Sequence, residues 1–225
     1  MSKINAPEHN ITCPLCNNSD AFSQLEGPKQ RKYQRCHHCQ LIFMERQFLP
    51  DSATEKSRYQ AHQNNLQNEG YVQFLNLAIT PALPYLKASM RGLDYGCGPV
   101  PVLGGLLKAH GLHCENYDPF FFPKLPDHKF EFIFATEVIE HFFNPGEDFQ
   151  RILALLKPGG ILTVMTELWD SVEKFSEWHY ARDNTHVSFY HEKTMQYIYT
   201  RYNLERLNPG PARAGVYKKT GAIYA

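Results

Sequence analysis

The sequence predicts a doubly wound α/β fold, in which helices cover both faces of a mostly parallel sheet, preceded by a small cysteine-rich module. Three observations carry this prediction. From Arg91 onward, short apolar segments alternate with segments of helical periodicity, as β-α units require. The first apolar segment runs into a tight glycine turn within residues 94–98. Two Cys-x-x-Cys pairs stand near the N-terminus.

The N-terminal cysteines predict a zinc site. Cys13 and Cys16 form one Cys-x-x-Cys pair, Cys36 and Cys39 form the second, and 19 residues separate the two pairs. This spacing is typical of four thiolates around one tetrahedral Zn2+. A segment this short needs such a ligand because it cannot bury enough apolar surface to fold alone. We therefore predict a zinc ribbon over residues 1–48.

Other roles for these cysteines remain open. The pairs could be redox-active or form disulfides, although the expected cytoplasmic location disfavours structural disulfides. His37 or His38, which lie between the cysteines of the second pair, could replace one thiolate as a ligand. Within the ribbon we expect strands near residues 22–25, 33–35 and 41–43.

Residues 49–90 are predicted to connect the ribbon to the α/β core. Pro50-Asp51-Ser52 interrupts the chain, and apolar residues then recur at helical spacing in a mostly helical segment, 53–86. Such a segment would cover or support the core. Tyr59, His62 and Asn65 would lie close together on a helix, where they are either cofactor contacts or solvated polar positions.

The α/β core is predicted over residues 91–225. Its expected elements are strands at 91–95, 113–117, 131–135 and 160–166, helices at 101–110, 147–156 and 191–201, and final strands near 203–208 and 215–224. Between Phe120 and Lys129 the chain is short and rich in aromatic residues and proline. We therefore expect one strand and its helix to be missing there.

The glycine turn predicts a nucleotide-type cofactor site. Gly96 and Gly98 would let the main chain approach a ligand closely, and the following helix would present unpaired N–H groups to it. Asp118 ends the next apparent strand, 24 residues after Asp94, the distance over which one β-α-β unit places an acid against a ribose hydroxyl. Pro101 stands where a dinucleotide fingerprint has its third glycine, which argues against NAD.

Three motifs in the core form a recognisable series. Leu-Asp-Tyr-Gly-Cys-Gly at 93–98 is followed by Glu-Val-Ile-Glu-His at 137–141 and Leu-Lys-Pro-Gly-Gly at 156–160. In this order and at this spacing the motifs resemble those of the class I S-adenosylmethionine-dependent methyltransferases, over roughly residues 60–225. The resemblance implies a Rossmann-like sheet closed by an antiparallel pair of strands, methyl transfer as the reaction and S-adenosyl-L-methionine as the cofactor.

The resemblance also implies which residues contact the cofactor. Gly96, Cys97 and Gly98 would wrap its methionine part, and Asp118 would accept hydrogen bonds from the ribose hydroxyls. Asp94 would orient the loop or the amino group of the cofactor, or else it would only cap the turn with its carboxylate.

Three side chains are candidates for catalysis. Thr136 and Glu137 follow a core strand and face the methyl-transfer end of the cleft, where both are expected to contact the cofactor. Glu137 could also orient an acceptor or lie near the cationic sulfonium. Asp183 and His186, followed by Phe189, match a pattern that related methyltransferases often carry. His186 could accept a proton while Asp183 fixes its tautomer, or the two could form a structural bond that holds the loop.

The segment 178–190 is dense in aromatic residues, histidines and charges, which predicts an acceptor pocket there. Trp169, Trp178 and Tyr180 could stack on a planar acceptor or fill the core. His141 could act as a base or be satisfied by a backbone partner. Methyl transfer depends chiefly on holding the nucleophile in line with the methyl group, so an obvious base is not required.

Composition limits the function class. The chain has 225 residues, 43% of them hydrophobic, and a formal net charge of zero, which suits one α/β core with a small additional module. No apolar run approaches the roughly 18 to 20 residues of a membrane span, and the N-terminus lacks the pattern of a signal peptide. We therefore expect no membrane partner and a cytoplasmic location.

The sequence is least informative about the acceptor. The nucleophile is expected to be an oxygen or nitrogen atom of RNA or of a small metabolite, and the basic run at 29–35 slightly favours nucleic acid. Two alternatives from other classes remain. One is a non-catalytic ribbon that binds RNA or protein beside a degenerate cofactor core, and the other is a dinucleotide-dependent oxidoreductase.

Overall fold

The computed structural model of the chain describes residues 11–61, 64–208 and 213–221. These residues form one small antiparallel sheet and one larger mixed sheet, with α-helices and short 3-10 turns between the strands. Within the described ranges, none of the helices combines the length and the apolar character that crossing a membrane requires.

The cysteine-rich module supplies three strands of the small sheet. They are β1 (Phe22–Glu26), β2 (Lys32–Cys36) and β3 (Ile42–Met44), and β2 pairs with both of the others. All three lie within two residues of the strands that the sequence predicts. A 3-10 turn at Arg46–Phe48 follows the last of them.

Two helices connect this module to the core. They are α1 (Ser52–Gln60) and α2 (Glu69–Ala82), and the carboxylate of Asp51 and the amide oxygen of Asn68 accept main-chain N–H bonds at their first turns. The prediction that 53–86 is mostly helical is thus confirmed.

The break between these two helices corrects one expectation. Because α1 ends at Gln60, Asn65 does not share a helix with Tyr59, and His62 lies outside the described residues.

The core is a six-stranded sheet. In chain order its strands are β4 (Arg91–Tyr95), β5 (His113–Tyr117), β6 (Phe130–Thr136), β7 (Leu156–Met165), β9 (Leu204–Arg206) and β10 (Ala214–Lys219), whereas β8 (Ser188–Phe189) joins the small sheet. In space the order is β5-β4-β6-β7-β10-β9, with the first four strands parallel. Strands β10 and β9 are antiparallel to their neighbours. The predicted sheet, including its closing pair, is confirmed.

Helices cover both faces of this sheet. The remaining helices are α3 (Val102–Ala109), α4 (Pro145–Leu155) and α5 (Glu192–Arg201). Because side chains alternate along a strand, Phe132 and Phe134 of β6 pack with the helices α2 and α3, whereas Ile133 and Ala135 pack with α4 and α5. The sheet is therefore doubly wound.

The expected gap in the α/β alternation is present. Between β5 and β6 the chain forms only an isolated bridge from Asp118 to Phe122, without a helix or a further sheet strand. Several boundaries differ from the prediction by a few residues. Strand β7 begins at Leu156 because that residue pairs with Phe130 ahead of a register shift, and residues 222–224 of the predicted last strand lie outside the described residues.

The cysteine-rich module is packed into the core. Its strand β3 pairs with β8, and its buried cysteines belong to the same apolar cluster as α4 and α5. The N–H of Gly146 on α4 donates to the carbonyl oxygen of Pro14 at 3.0 Å, and a Cβ at Gly146 would lie 3.0 Å from that oxygen. The domain boundaries at residues 48 and 90 stay predictions.

Candidate active site

A cavity of about 730 Å³ lies at the carboxyl ends of β4, β5 and β6. The loops after these strands form one wall, and α1 together with part of the segment 183–186 contributes to another. Open α/β sheets bind ligands at this edge, where the strand order reverses. The volume falls within the range of about 300 to 1,000 Å³ that is usual for small-molecule sites.

The glycine turn after β4 is shaped for close approach. Gly96 and Gly98 have φ values of +80° and +66°, a region that favours glycine. The N–H groups of Gly96 and Cys97 both donate to the carbonyl oxygen of Tyr117, at 2.8 and 3.1 Å. A Cβ at Gly96 would lie 2.5 Å from a methyl carbon of Val138, whereas one at Gly98 would meet no atom within 4 Å. The main chain of Gly98 is therefore open to a ligand.

Asp118 ties this turn to the loop after β5. Its Oδ2 accepts from the N–H of Gly98 at 3.0 Å, and its Oδ1 accepts from the N–H groups of Phe120 and Phe121 at 2.8 and 3.1 Å. Oδ1 thus uses both of its lone pairs, whereas Oδ2 has one left with which it could accept from a ribose hydroxyl. The ribose contact stays a prediction, and the role as a tie between loops is one that the sequence did not indicate.

Asp94 is a buried acid beside the cavity. Burial raises the pKa of its carboxyl to about 7, and the charge of nearby Asp118 acts in the same direction. A cation bound in the cavity would favour the ionised form of Asp94.

Glu137 follows β6 in a strained conformation. Its φ is +53°, and its N–H donates to the carbonyl oxygen of Met165 at 2.8 Å. Its carboxylate accepts from Nη2 of Arg213 at 2.9 Å and lies 3.2 Å from the hydroxyl of Tyr180. Burial raises the pKa of Glu137, while the Arg213 guanidinium opposes this rise. The carboxylate is thus held by an ion pair in the cavity wall.

Glu140 is fully buried behind this wall. Its Oε2 accepts from Oγ1 of Thr166 at 3.0 Å, and its Oε1 bonds to the hydroxyl of Tyr180. Burial, followed by the charge of Glu137, raises the pKa of Glu140 to about 8. The raised pKa favours the protonated carboxyl of Glu140, and the hydroxyl of Tyr180 lies within hydrogen-bond distance of both Glu140 and Glu137.

Two histidines lie side by side in the cavity wall. Nδ1 of His141 is 2.8 Å from the carbonyl oxygen of Thr185, and Nδ1 of His186 is 2.8 Å from that of Tyr180. A carbonyl oxygen can only accept, so both Nδ1 atoms carry protons and Nε2 of each neutral ring is the basic nitrogen. The ring centres are 4.9 Å apart with the rings nearly perpendicular, and Tyr59 contacts His141 edge-on.

Asp183 forms an ion pair with Arg58, and not the expected bond to His186. Its Oδ2 accepts from Nη2 of Arg58 at 2.7 Å, and its Oδ1 accepts from the N–H and hydroxyl of Thr185. Burial alone would raise the pKa of Asp183, but Arg58 and Thr185 hold it below its usual range. Nδ1 of His186 bonds instead to a carbonyl oxygen, so that carbonyl, rather than Asp183, fixes the tautomer.

The cavity brings the predicted core residues together. Those that line it are Asp94, Gly96, Cys97, Gly98, Asp118, Thr136, Glu137, Asp183 and His186. Their assigned roles stay predictions. The two tryptophans, Trp169 and Trp178, pack in the apolar cluster beside the small sheet and are not in the cavity wall, so the stacking role considered for them is not supported.

Several functional contacts could not be anticipated from the sequence. Arg58 and Arg213 are single cations in segments without a motif, and each finds its acid through the tertiary fold. The sequence marks Tyr59 only by its place in a predicted helix, and Tyr180 only by its aromatic ring. No local pattern in the sequence indicates the left-handed φ of Glu137, because residues other than glycine, asparagine and aspartate seldom adopt this conformation.

The four N-terminal cysteines form a compact cluster. The Sγ atoms of Cys13 and Cys39 are 3.5 Å apart, and those of Cys16 and Cys36 are 3.6 Å apart. Four sulfurs at about 2.3 Å from one Zn2+ would be separated by roughly 3.8 Å, so the cluster fits a zinc module. All four are free thiols, which contradicts the disulfide alternative.

The neighbouring histidines flank this cluster. Nε2 of His37 is 2.6 Å from the hydroxyl oxygen of Ser23, and the ring of His38 packs edge-on against Tyr197. The group of side chains close enough together to hold one metal ion consists here of the four cysteines, and neither histidine belongs to it.

Comparison with protein families gives one match, to a family described as a methyltransferase domain, over residues 63–208. This match covers more than half of the chain. No curated protein sequence matches the chain.

Solved structures with a similar fold include methyltransferases. A Burkholderia thailandensis 1,6-didemethyltoxoflavin-N1-methyltransferase, solved with 1,6-didemethyltoxoflavin and S-adenosylhomocysteine, is 15% identical, with a TM-score of 0.51, and the match covers 88% of this chain and 100% of that one. An O-methyltransferase family protein from the same organism is 13% identical, with a TM-score of 0.49 and coverage of 79% and 66%. The N-methyltransferase NodS of Bradyrhizobium japonicum is 12% identical, with a TM-score of 0.47 and coverage of 73% and 96%. At these identities the first match shows a shared fold.

Proposed function

Because this chain belongs to the methyltransferase-domain family and is an S-adenosylmethionine-dependent methyltransferase, we propose that it methylates an oxygen or nitrogen atom of a small acceptor. The acceptor would lie beside His141 and His186, and its charge would be neutral or positive. The observation that carries this proposal is the pair of histidines, which line the same cavity as the glycine turn and whose Nδ1 atoms each bond to a main-chain carbonyl oxygen.

The described residues fit the cofactor. The main chain of Gly98 has open space in front of it, and the buried carboxyl of Asp94 would gain a cationic partner in the amino group of the cofactor. The Burkholderia thailandensis N1-methyltransferase holds S-adenosylhomocysteine, and we propose the same ligand class for this cavity. When bound, S-adenosylmethionine supplies a methyl group on a positively charged sulfur.

One of the two histidines would accept the proton that the acceptor loses. With Nδ1 of each ring donating to a main-chain carbonyl, Nε2 of His186 or His141 can accept a hydrogen bond from the nucleophilic N–H or O–H group. As the nucleophile loses its proton, the imidazole becomes an imidazolium and keeps its bond to the carbonyl. Glu137, fixed by Arg213, would orient the acceptor from the loop after β6.

Charge in the cavity favours a neutral or cationic acceptor. Among the described lining residues, carboxylates outnumber arginines by seven to one; the acids are Glu55, Asp94, Asp118, Glu137, Glu147, Asp148 and Asp183, and the arginine is Arg151. Arg58 and Arg213, just outside the lining, neutralise two of these acids. The surplus of negative charge would repel a phosphate backbone.

The basic run of the module gives little support to RNA as the acceptor. Arg31 is buried, Lys32 forms an ion pair with Glu26, and the guanidinium of Arg35 donates to the side-chain oxygen of Gln40. Phosphate recognition needs cations that are available at the surface. A small acceptor also agrees better with a cavity of about 730 Å³ that must hold the cofactor as well.

We also propose that the four cysteines bind one Zn2+. Their sulfur spacing suits tetrahedral thiolate ligation, and three of them are buried in the apolar core, where thiolates need a cation. The metal would supply cross-linking of the module. It is more than 100 residues away in sequence from the histidine pair, and no part of the methyl-transfer chemistry is assigned to it.

Replacing His186 with glutamine tests the acceptor side of this proposal. We expect the variant to lose about 100-fold in methyl-transfer rate, because the proton acceptor is removed, while its affinity for S-adenosylmethionine changes little. The assay would use methyl-labelled S-adenosylmethionine with a panel of small amines, phenols and carboxylic acids, with RNA as a separate arm. His113→Gln, an exposed histidine at the start of β5, is the matched control.

Two outcomes would count against the assignment. Full activity of the His186 variant on the best acceptor would remove the histidine from the mechanism. Labelling of RNA, together with none of the small molecules, would show that the charge argument selects the wrong acceptor class.

A further inference from the structure

One buried arginine links the cysteine-rich module to the acceptor side of the cavity. The guanidinium of Arg31, whose residue is 7% exposed, donates to the carbonyl oxygens of Ala181 at 2.7 Å, Arg182 at 3.3 Å and Asp183 at 3.1 Å. Its Nε donates to the carbonyl oxygen of Pro28 in its own turn at 3.1 Å. A planar guanidinium holds several acceptors in a fixed geometry, which lysine cannot reproduce.

The three consecutive carbonyls begin the segment that carries the histidine of the acceptor site. We call residues 181–187 the acceptor segment. On its other side, the N–H of Val187 donates to the carbonyl oxygen of Glu140 at 2.8 Å, and the carbonyl oxygen of Thr185 accepts from His141. The acceptor segment is therefore held between the module and the turn that follows β6.

The module also holds the far end of the acceptor segment. The N–H of Met44 donates to the carbonyl oxygen of Val187 at 2.8 Å, and β3 continues into pairing with β8. Arg31 fixes the start of the segment and β3 fixes its end. His186 lies between these two anchors.

The tip of the β1–β2 hairpin adopts an uncommon shape next to Arg31. Lys29 and Gln30 have φ values of +58° and +59°, in the left-handed region where non-glycine residues are uncommon. Residues in such conformations persist where the surrounding contacts require them. Here the four hydrogen bonds of the next residue, Arg31, are the contacts that depend on the shape of the tip.

From these contacts we infer that Arg31 is a positioning residue for the acceptor site, a conclusion that rests on the proposed role of His186. By fixing the carbonyls at 181–183, Arg31 sets the path of the main chain from Tyr180 to His186. That path brings Nδ1 of His186 to the carbonyl oxygen of Tyr180 and so selects its tautomer. The cysteine-rich module thus acts on methyl transfer through the main chain, without touching the acceptor.

The test compares Arg31→Gln with Lys32→Gln in the full zinc-loaded chain. Lys32 is on the same hairpin, but its ion pair with Glu26 is on the surface and is not joined to the acceptor segment. We expect Arg31→Gln to keep its zinc and to bind S-adenosylmethionine within about twofold of the unmodified protein. Hydrogen exchange at the Val187 amide should rise at least about tenfold, and the ring-nitrogen NMR shifts of His186 should report mixed tautomers.

The two readouts do not depend on turnover, so they separate this inference from the proposed function. Val187 exchange and a His186 tautomer that match those of Lys32→Gln would overturn the role of Arg31, whatever the activity. If Arg31→Gln loses protection from hydrogen exchange throughout the core sheet, Arg31→Lys is the variant to compare. It keeps the positive charge but lacks the planar guanidinium with its several donors. Partial restoration of Val187 protection in Arg31→Lys supports the positioning role. Full restoration would show that a positive charge alone is sufficient, which would overturn the role of the guanidinium.

Discussion

Replacing Asp118 with alanine is expected to weaken the binding of S-adenosylmethionine by about 100-fold, which corresponds to roughly 3 kcal/mol. The carboxylate accepts three main-chain N–H bonds that join the glycine turn to the loop after β5, and it is also the predicted ribose acceptor. Alanine removes both contributions, so the turn loses its shape and the ligand loses a partner. Calorimetric titration with S-adenosylmethionine measures the effect.

Two variants make the Asp118 result interpretable. Asp127→Ala removes an exposed acid from the same loop and should bind the cofactor normally. Asp118→Asn keeps the shape but can offer only one oxygen, so it should lie between the alanine variant and the unmodified protein. An alanine variant that is folded and binds with unchanged affinity would show that Asp118 does not belong to the cofactor site.

Replacing Cys36 with serine is expected to release the metal and to lower the free energy of unfolding by at least about 3 kcal/mol. Cys36 is buried in the cysteine cluster, which is continuous with the apolar layer around α4 and α5. Without the metal, three thiols and a hydroxyl would be left crowded in that layer. Elemental analysis of zinc and a denaturant titration measure the two effects.

The control for Cys36 is Cys114→Ser, which changes a thiol on β5 outside the cluster and should keep one zinc per chain. Because the module anchors residues 181–187 through Arg31, zinc loss should also increase hydrogen exchange at the Val187 amide. Complete zinc retention by Cys36→Ser would show that this thiol is not a ligand.

Local patterns in the sequence were sufficient for most of the fold. The strands predicted at 91–95 and 113–117 match β4 and β5 residue for residue. β4 is mostly buried, whereas β5 is a partly exposed edge strand with polar residues, so its position followed from the β-α alternation and not from an apolar run. The helix expected from 147 begins at Pro145, since proline is tolerated in the first helical turn. The Cys-x-x-Cys pairs predicted the cluster because ligand spacing is itself local information.

The arrangement of the candidate site was harder to predict, since its contacts join distant segments. Arg213 lies 76 residues after Glu137, and Arg31 lies 150 residues before Ala181. Neither arginine stands in a motif, and no periodicity marks it. The basic run at 29–35 suggests a nucleic-acid surface, but three of its cations already have partners. Arg31 and Arg35 donate hydrogen bonds within the protein, and Lys32 forms a surface ion pair with Glu26. Charge in a sequence shows composition, whereas only tertiary structure shows which charges are available.

Calorimetry on the zinc-loaded protein would show most directly whether this cavity binds the adenosyl cofactor of methyl transfer. S-adenosylmethionine and S-adenosylhomocysteine would be titrated separately, with NAD as the control ligand. We expect saturable binding of both adenosyl ligands with affinity on the order of micromolar, and no binding of NAD. Saturable binding of NAD, with none of either adenosyl ligand, would contradict this expectation.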